Sequence, residues 1–272
     1  MFYFYTSFMQ ILKKPEEIAQ MKAACQGAAQ ALDYITPFVK AGITTGELDR
    51  LVLDYITNVL HAKSATIGYG NPPFPASICT SINNVICHGI PGDRVLKNGD
   101  IMNIDITIIK EGWFGDTSRM FYIGEPSIQA RKLTETAYEC MWLGIEQVKP
   151  GATLGDIGHA IQTHAQAQGF SVVRDYCGHG VGRVFHDDPM VLHYGKPHTG
   201  TKLVEGMTFT IEPMINAGHY ATRLMPDQWT VVTKDRSLSA QWEHTVIVTA
   251  DSYEVLTVSD QMRPPPDFIQ KG

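Results

Sequence analysis

Val39-Lys40-Ala41-Gly42-Ile43-Thr44-Thr45-Gly46-Glu47-Leu48 decides how this chain folds, because it occurs twice. The second copy is Val148-Lys149-Pro150-Gly151-Ala152-Thr153-Leu154-Gly155-Asp156-Ile157, with five of the ten positions identical and two more conservative. Each copy places a Thr three residues before an acidic side chain, a pairing that starts helices by satisfying backbone N–H groups of the first turn. A helix is expected before each copy. The first begins at Pro15 and spaces Ile18, Met21, Cys25, Ala28, Leu32 and Ile35 along one face; the second runs roughly over Arg131–Val148. The capped helices then follow. Leu48, Leu51, Val52, Tyr55, Ile56 and Val59 line one, and Ile157, Ala160, Ile161 and Ala165 the other.

Beyond each helix pair come alternating, strand-like stretches. Each half therefore reads helix, helix, strands. Two such halves imply an α+β layer architecture, with four amphipathic helices over one face of a shared antiparallel sheet. A pseudo-twofold arrangement puts the seam between halves at the centre, where ligand sites often lie. The expected organisation is a leader over 1–13, one catalytic domain over 14–260 with halves of about 14–125 and 126–260, and a tail over 261–272. Within the leader, the first eight residues read as an extension or a misassigned start, since Met9 opens a charged stretch.

Composition narrows the classes. The chain has 272 residues, enough for a large core, and 44% hydrophobic against 18% charged content suits a globular enzyme. A net charge of −6 leaves no footprint for nucleic acid. No apolar run reaches the roughly 20 residues needed to span a bilayer, and the aromatic Met1–Leu12 lacks the features of a signal peptide. Cys25, Cys79, Cys87, Cys140 and Cys177 form an odd set without CxxC spacing, which argues for a reducing compartment; Cys25 and Cys140 read as small buried side chains.

Four carboxylates stand out on strand-like stretches. In Ile101–Ile108, Met102, Ile104, Ile106 and Ile108 share one face, and Asn103, Asp105 and Thr107 the other. Lys110-Glu111-Gly112-Trp113 should close a hairpin onto Phe114–Ile123. With Glu111-Gly112 at the tip, Thr107 pairs with Asp116 and Asp105 lies one diagonal step away, about 7 Å, on the same face. A three-residue loop would put the two aspartates on opposite faces. Thr208, Thr210 and Glu212 alternate with Met207, Phe209 and Ile211 before Pro213 stops the ladder. Gln241, Glu243 and Thr245 alternate with Trp242, His244 and Val246. Any one of these carboxylates could face solvent. If all four gather, each pair about 6 Å apart repels by roughly 3 kcal/mol at an effective dielectric of 20. A total of about 10 kcal/mol is more than a marginally stable domain carries without cations.

Cys177-Gly178-His179-Gly180-Val181-Gly182 brackets a histidine with glycines, and Cys87-His88-Gly89-Ile90-Pro91 holds a second in the corresponding region of the first half. The first of these does not open a helix, so a dinucleotide loop is disfavoured. His61, His159, His164, His193, His198 and His219 read as surface or core. No HExxH or G-x-S-x-G occurs. Asp105, Asp116, His179, Glu212 and Glu243 together make an oxygen-rich set suited to two hard divalent cations.

At this point a family resemblance is evident. Cys87–Pro91, Asn103–Thr107, Gly115–Ser118, Cys177–His186, Thr210–Met214 and Gln241–Thr245 resemble the motif set of the type I, bacterial-type methionine aminopeptidases, from about Lys14 to Thr257. The resemblance implies the pita-bread fold of two pseudo-symmetric halves. It implies that Asp105, Asp116, His179, Glu212 and Glu243 hold two divalent ions (Co, Mn, Fe, Ni or Zn), with Asp116 and Glu243 bridging and Glu212 beside His179. A metal-bridging hydroxide would attack the first peptide bond, Glu212 would carry the proton, His186 would steady the carbonyl oxygen, and His88 would contact the scissile amide. The methionine pocket would comprise Thr66, Tyr69, Phe74, Cys79, Phe185 and Trp229, next to His88 and His186. Substrates would be N-terminal peptides, met as nascent chains at the ribosome, by a cytoplasmic monomer that binds neither nucleic acid nor membrane. The chain departs from the pattern at Thr66, where bacterial relatives often carry Cys, in a longer Gly70-Asn71-Pro72-Pro73, and at Gln228, where a Gly is common.

Three other readings share parts of this pattern. X-Pro peptidases share fold and ligands but carry an added N-terminal domain. Type II methionine aminopeptidases carry a helical insertion, and none is visible between His186 and Glu212. A ligand-depleted relative that docks on ribosomes or RNA is disfavoured by retention of all five ligand positions.

Overall fold

Pro15 opens α1, which spans Pro15–Ile35. Its fixed φ and missing N–H cost nothing in a first helical turn. The structure, a computed structural model, describes residues 9–259 and 261–266, so the expected extension at 1–8 lies outside the described residues. Met21, Cys25, Ala28, Leu32 and Ile35 are buried along α1, while Ile18 is half-buried. Two glycines let α1 press onto the sheet: a Cβ on Gly115 would strike the backbone oxygen of Ala24, and one on Gly27 would come within 2.6 Å of Ile108.

The repeat starts helices in both halves. In the first, α2 spans Thr45–Asp54, with Thr44 N–H donating to Glu47 Oε2 at 2.8 Å and Glu47 N–H to Thr44 Oγ1 at 3.2 Å. In the second, α4 spans Leu154–Ala167, and both the N–H and the hydroxyl of Thr153 donate to Asp156 Oδ2, at 2.7 and 2.8 Å. Between them α3 covers Ile128–Glu146, starting before the expected Arg131 because Ser127 accepts from the N–H of Ala130. The face expected on α2 fails at its end. A π-helical turn over Tyr55–Val59 rotates the apolar stripe, and Val59 emerges 57% exposed.

The long hairpin forms as the two-residue tip requires. Strand Ile101–Lys110 pairs with Trp113–Tyr122, Lys110 faces Trp113, and Thr107 faces Asp116. Glu111 and Gly112 both have left-handed φ, 51° and 79°, the geometry of a primed hairpin turn. Asp105 and Asp116 therefore share a face, while Met102, Ile104, Ile106 and Ile108 are buried beneath the helices of the first half.

The expected single shared sheet is not what forms. The strands divide into four hydrogen-bonded groups. One holds Lys63–Ser64, Cys79–Ile82 and the long hairpin; another, of five strands, holds Tyr253–Val255, His244–Val248, Thr208–Ile211, Gly178–Gly180 and Asp187–Val191. The ladder breaks because Pro213 has no N–H and because Trp242-Glu243 leave their strand between Ser239–Gln241 and His244–Val248. The halves meet through an isolated bridge, Ser118 to Glu243, and through Val231 pairing with Cys87. Among the described residues the two largest cores back the halves, one under α1 and α2, the other under α3 and α4, and a smaller one joins Met21 and Cys25 of α1 to Val181 and Ile247. Ile11 bridges to Met207 and Leu12 is buried, so part of the stretch read as a leader packs on the second half. At the other end, the Tyr138 hydroxyl on α3 lies 2.6 Å from the carbonyl of Arg263.

Candidate metal centre

The five residues singled out above come together at the seam. Atoms of Asp116, His179 and Glu243 lie within 4.8 Å of one another. His179 Nε2 is 3.5 Å from Asp116 Oδ2 and 3.6 Å from Glu212 Oε1. Asp105 lies close enough to Asp116 that the charge of Asp116, after burial, raises its affinity for a proton. Asp116 and Glu243 are almost fully buried, and no Lys or Arg pairs with any of the four carboxylates among the described residues.

Glycines position the histidine. A Cβ on Gly178 would strike the backbone oxygen of Thr210, and one on Gly180 that of Asp188. His179 therefore rides a strand squeezed between two neighbours, which accounts for the Gly-His-Gly pattern. Its Nδ1 lies 3.1 Å from the carbonyl of Gly180. A carbonyl only accepts, so Nδ1 carries the proton and Nε2 presents a lone pair towards the carboxylates.

The electrostatics follow from burial. Burial pushes the Asp116 carboxyl up to about 7 and the His179 imidazole down to about 4. Burial, then the charge of Asp116, raises Asp105, Glu212 and Glu243. A neutral imidazole lone pair facing oxygen acceptors is stable only with positive charge among them, as protons or as metal ions. Four carboxylates and an imidazole fit hard or borderline divalent cations.

Some supporting residues were legible only as members of polar faces. The Thr107 hydroxyl donates to Asp116 Oδ1 at 2.7 Å, that of Thr210 to Glu212 Oε1 at 2.8 Å, and Gln241 Nε2 to Glu212 Oε2 at 3.2 Å. Each sits two residues from a carboxylate or opposite one, so strand alternation carried the signal. His193 gave none. It is fully buried, as a core histidine is, and its Nε2 also accepts from the N–H of Glu212.

The residues expected to form an apolar pocket gather beside the carboxylates. Phe74, Ala76 and Cys79 pack with Ile90 and Trp229. Tyr69 stacks obliquely on Phe185, ring centres 4.8 Å apart, and its hydroxyl lies 2.6 Å from Nδ1 of His186. The His186 ring is 4.3 Å from that of His179. His88, with left-handed φ of 55°, sits edge-on to Tyr176 and Trp229. Thr66 donates its hydroxyl to the carbonyl of Ala76 at 2.8 Å. The long Gly70–Pro73 stretch is clamped by Trp229, whose Nε1 donates to Pro72 O at 2.9 Å, and Gly70 has no room for a Cβ, which would lie 2.5 Å from the indole. Gln228 adopts φ of 65°, a conformation that glycine takes without strain.

A profile of metallopeptidase family M24 matches residues 19–250. The methionine aminopeptidase of Escherichia coli K12 is 54% identical over 248 residues, covering 91% of this chain and 93% of that one. The solved methionine aminopeptidase of Rickettsia prowazekii superposes with a TM-score of 0.90 at 53% identity, over 92% of this chain and all of that one. The prolidase of Pyrococcus horikoshii OT3 shares the fold alone, with a TM-score of 0.71 at 23% identity, over 93% of this chain and 65% of that one.

Proposed function

The chain belongs to metallopeptidase family M24, and from that premise we propose that it removes the N-terminal methionine from polypeptides whose second residue is small. The fold is the α+β pita-bread fold of that family, and the chain is a metal-dependent aminopeptidase. The observation that carries the reading is the bare Nε2 of His179 facing Asp116 and Glu212, with the apolar cluster of Phe74, Cys79 and Trp229 nearby.

Asp105, Asp116, His179, Glu212 and Glu243 would hold two divalent ions, drawn from Co, Mn, Fe, Ni or Zn. When bound, such ions supply Lewis acidity, polarising the first peptide carbonyl and activating water at neutral pH. Glu212 would take a proton from the attacking water and pass it to the leaving amine. Burial keeps His186 neutral, and the Tyr69 hydroxyl engages its Nδ1, leaving Nε2 to donate to the carbonyl oxygen as charge develops there. His88, pushed down to about 4 by burial, is a neutral hydrogen-bonding group for the scissile amide.

Tyr69, Phe74, Cys79, Phe185 and Trp229, with Thr66 behind, suit a long unbranched thioether. His88 and His186 crowd the scissile bond and leave little space for a large second side chain. The substrates are then nascent chains emerging at the ribosome, met by a cytoplasmic monomer; among the described residues no helix is long and apolar enough to cross a membrane.

The test is kcat/KM across Met-X-Ser peptides after chelation and readdition of each divalent ion. Cleavage should need metal and fall steeply from X = Gly or Ala to X = Phe. Norleucine in place of Met should still be cleaved, because small changes in an apolar slot are worth only about 1–3 kcal/mol. Equal rates for Gly and Phe, or a preference for X = Pro without Met, would move the assignment to the X-Pro peptidases.

A further inference from the structure

Glu212 stands just past the end of strand Thr208–Ile211, whose last partner is His244 opposite Ile211. Its N–H has left the ladder and donates instead to Nε2 of His193, 3.1 Å away. A backbone N–H can only donate, so Nε2 must present a lone pair. The ring is fully buried, with no carboxylate paired to it among the described residues, and, with Nε2 accepting, its one ring proton sits on Nδ1. That Nδ1 is buried with no hydrogen-bond partner among the described residues. An apolar side chain of similar size would avoid the orphaned donor, so packing alone does not account for an imidazole here.

The seat of His193 is built by α4. A Cβ on Gly158 would lie 2.7 Å from Leu192 O and 2.5 Å from Tyr194 O, so the segment carrying His193 lies directly on the helix. The N–H of Gly195 donates to Gln162 Oε1 at 3.1 Å. Gly158 and Gln162 both belong to α4, the helix launched by the second copy of the repeat. After Glu212, Pro213 offers no N–H, so the turn has little other backbone tether until strand Met214–Asn216 begins.

We propose that His193 is a positioning residue for Glu212: seated on α4, its imidazole accepts the Glu212 N–H and fixes the backbone from which that carboxylate reaches the metal centre. The inference rests on the metal-centre reading above. Partners that orient ligands in this way typically alter metal affinity by about 10–100-fold when removed.

The test uses the full chain, freed of metal by chelation, as wild type, His193→Leu and His193→Gln. Manganese affinity is measured by calorimetry, and ring tautomers by ¹⁵N-histidine NMR. His193→Leu should bind manganese about 10–100-fold more weakly, and His193→Gln, whose Oε1 can accept the same N–H, should recover most of that loss. In the wild type, the signals that vanish in His193→Gln should show a protonated Nδ1 and a bare Nε2. A folded His193→Leu that binds manganese as tightly as wild type overturns the proposal, as does the reverse tautomer. Should His193→Leu fail to fold, the wild-type tautomer decides. A wild type that binds no divalent ion would instead overturn the metal-centre reading itself.

Discussion

In the first half, Asp105 and Asp116 sit on neighbouring strands of one hairpin, joined by a two-residue tip. In the second half, His179, Glu212 and Glu243 arrive on three separate segments, two of them at points where a strand breaks. The repeat helices serve both halves differently. On α2, Asp49 accepts the N–H groups of Ser77 and Ile78, at the start of the strand whose Cys79 pairs with Asp105. On α4, close backbone contact through Gly158 seats the segment of His193, which in turn holds Glu212. The first half holds its ligands by local pairing. The second depends on contacts far apart in sequence, each of which costs more chain entropy to bring together.

That difference can be broken most severely by removing one carboxylate from each side. Asp116→Asn and Glu243→Gln should each lower kcat/KM by about 10³-fold or more, because metal stabilisation of the transition state is worth several kcal/mol. Yet in chelator both variants should melt at or above the wild-type temperature, since each relieves repulsion among buried carboxylates. A fall in Tm in chelator for Glu243→Gln alone would show that the scattered side is also the fragile one. His186→Ala should come next, lowering kcat by about 10²–10³-fold with a smaller change in KM. Raised KM with unchanged kcat would contradict its role.

How far each half could be read from sequence follows the same division. Period-two alternation over Ile101–Ile108 and the Glu111-Gly112 tip sufficed to place Asp105 and Asp116 on one face. Thr44 and Thr153 were legible as helix starts because the capping device is local. The π-helical turn that exposes Val59 was not, because its sequence keeps a helical apolar spacing. Nor was the division into four strand groups, which depends on where Trp242-Glu243 and Pro213 interrupt pairing between distant segments. A lone histidine such as His193 carries no pattern at all; only the fold brings it to Glu212.

Proton and metal compete for the same oxygens, which makes pH a finer probe. Asp116 rises from an ordinary value near 3.8 to about 7 on folding without metal, and its neighbours rise too. A raised carboxyl favours the folded state while protonated, so that stability is present at low pH and is lost as pH climbs through about 7. The buried neutral histidines oppose this trend below about pH 6.5, so the Tm of chelated protein should fall between about pH 7 and pH 8, and added manganese should flatten the fall. A metal-free Tm that rises over that range would contradict the burial of uncompensated carboxylates at the seam. The smallest effect concerns the pocket wall. Gln228→Gly should raise stability by up to about 1 kcal/mol, because Gly takes the left-handed φ without strain. A denaturant midpoint that moves down would contradict it.

The central claim is that two dissimilar halves converge on one metal centre, and crystals grown with manganese test it most directly. Anomalous difference density should show two peaks, about 3.5–4 Å apart, touching Asp105 and Asp116 from the hairpin and His179, Glu212 and Glu243 from the second half. Peaks in contact with residues of one half only, or no ordered ion between the halves, would contradict it.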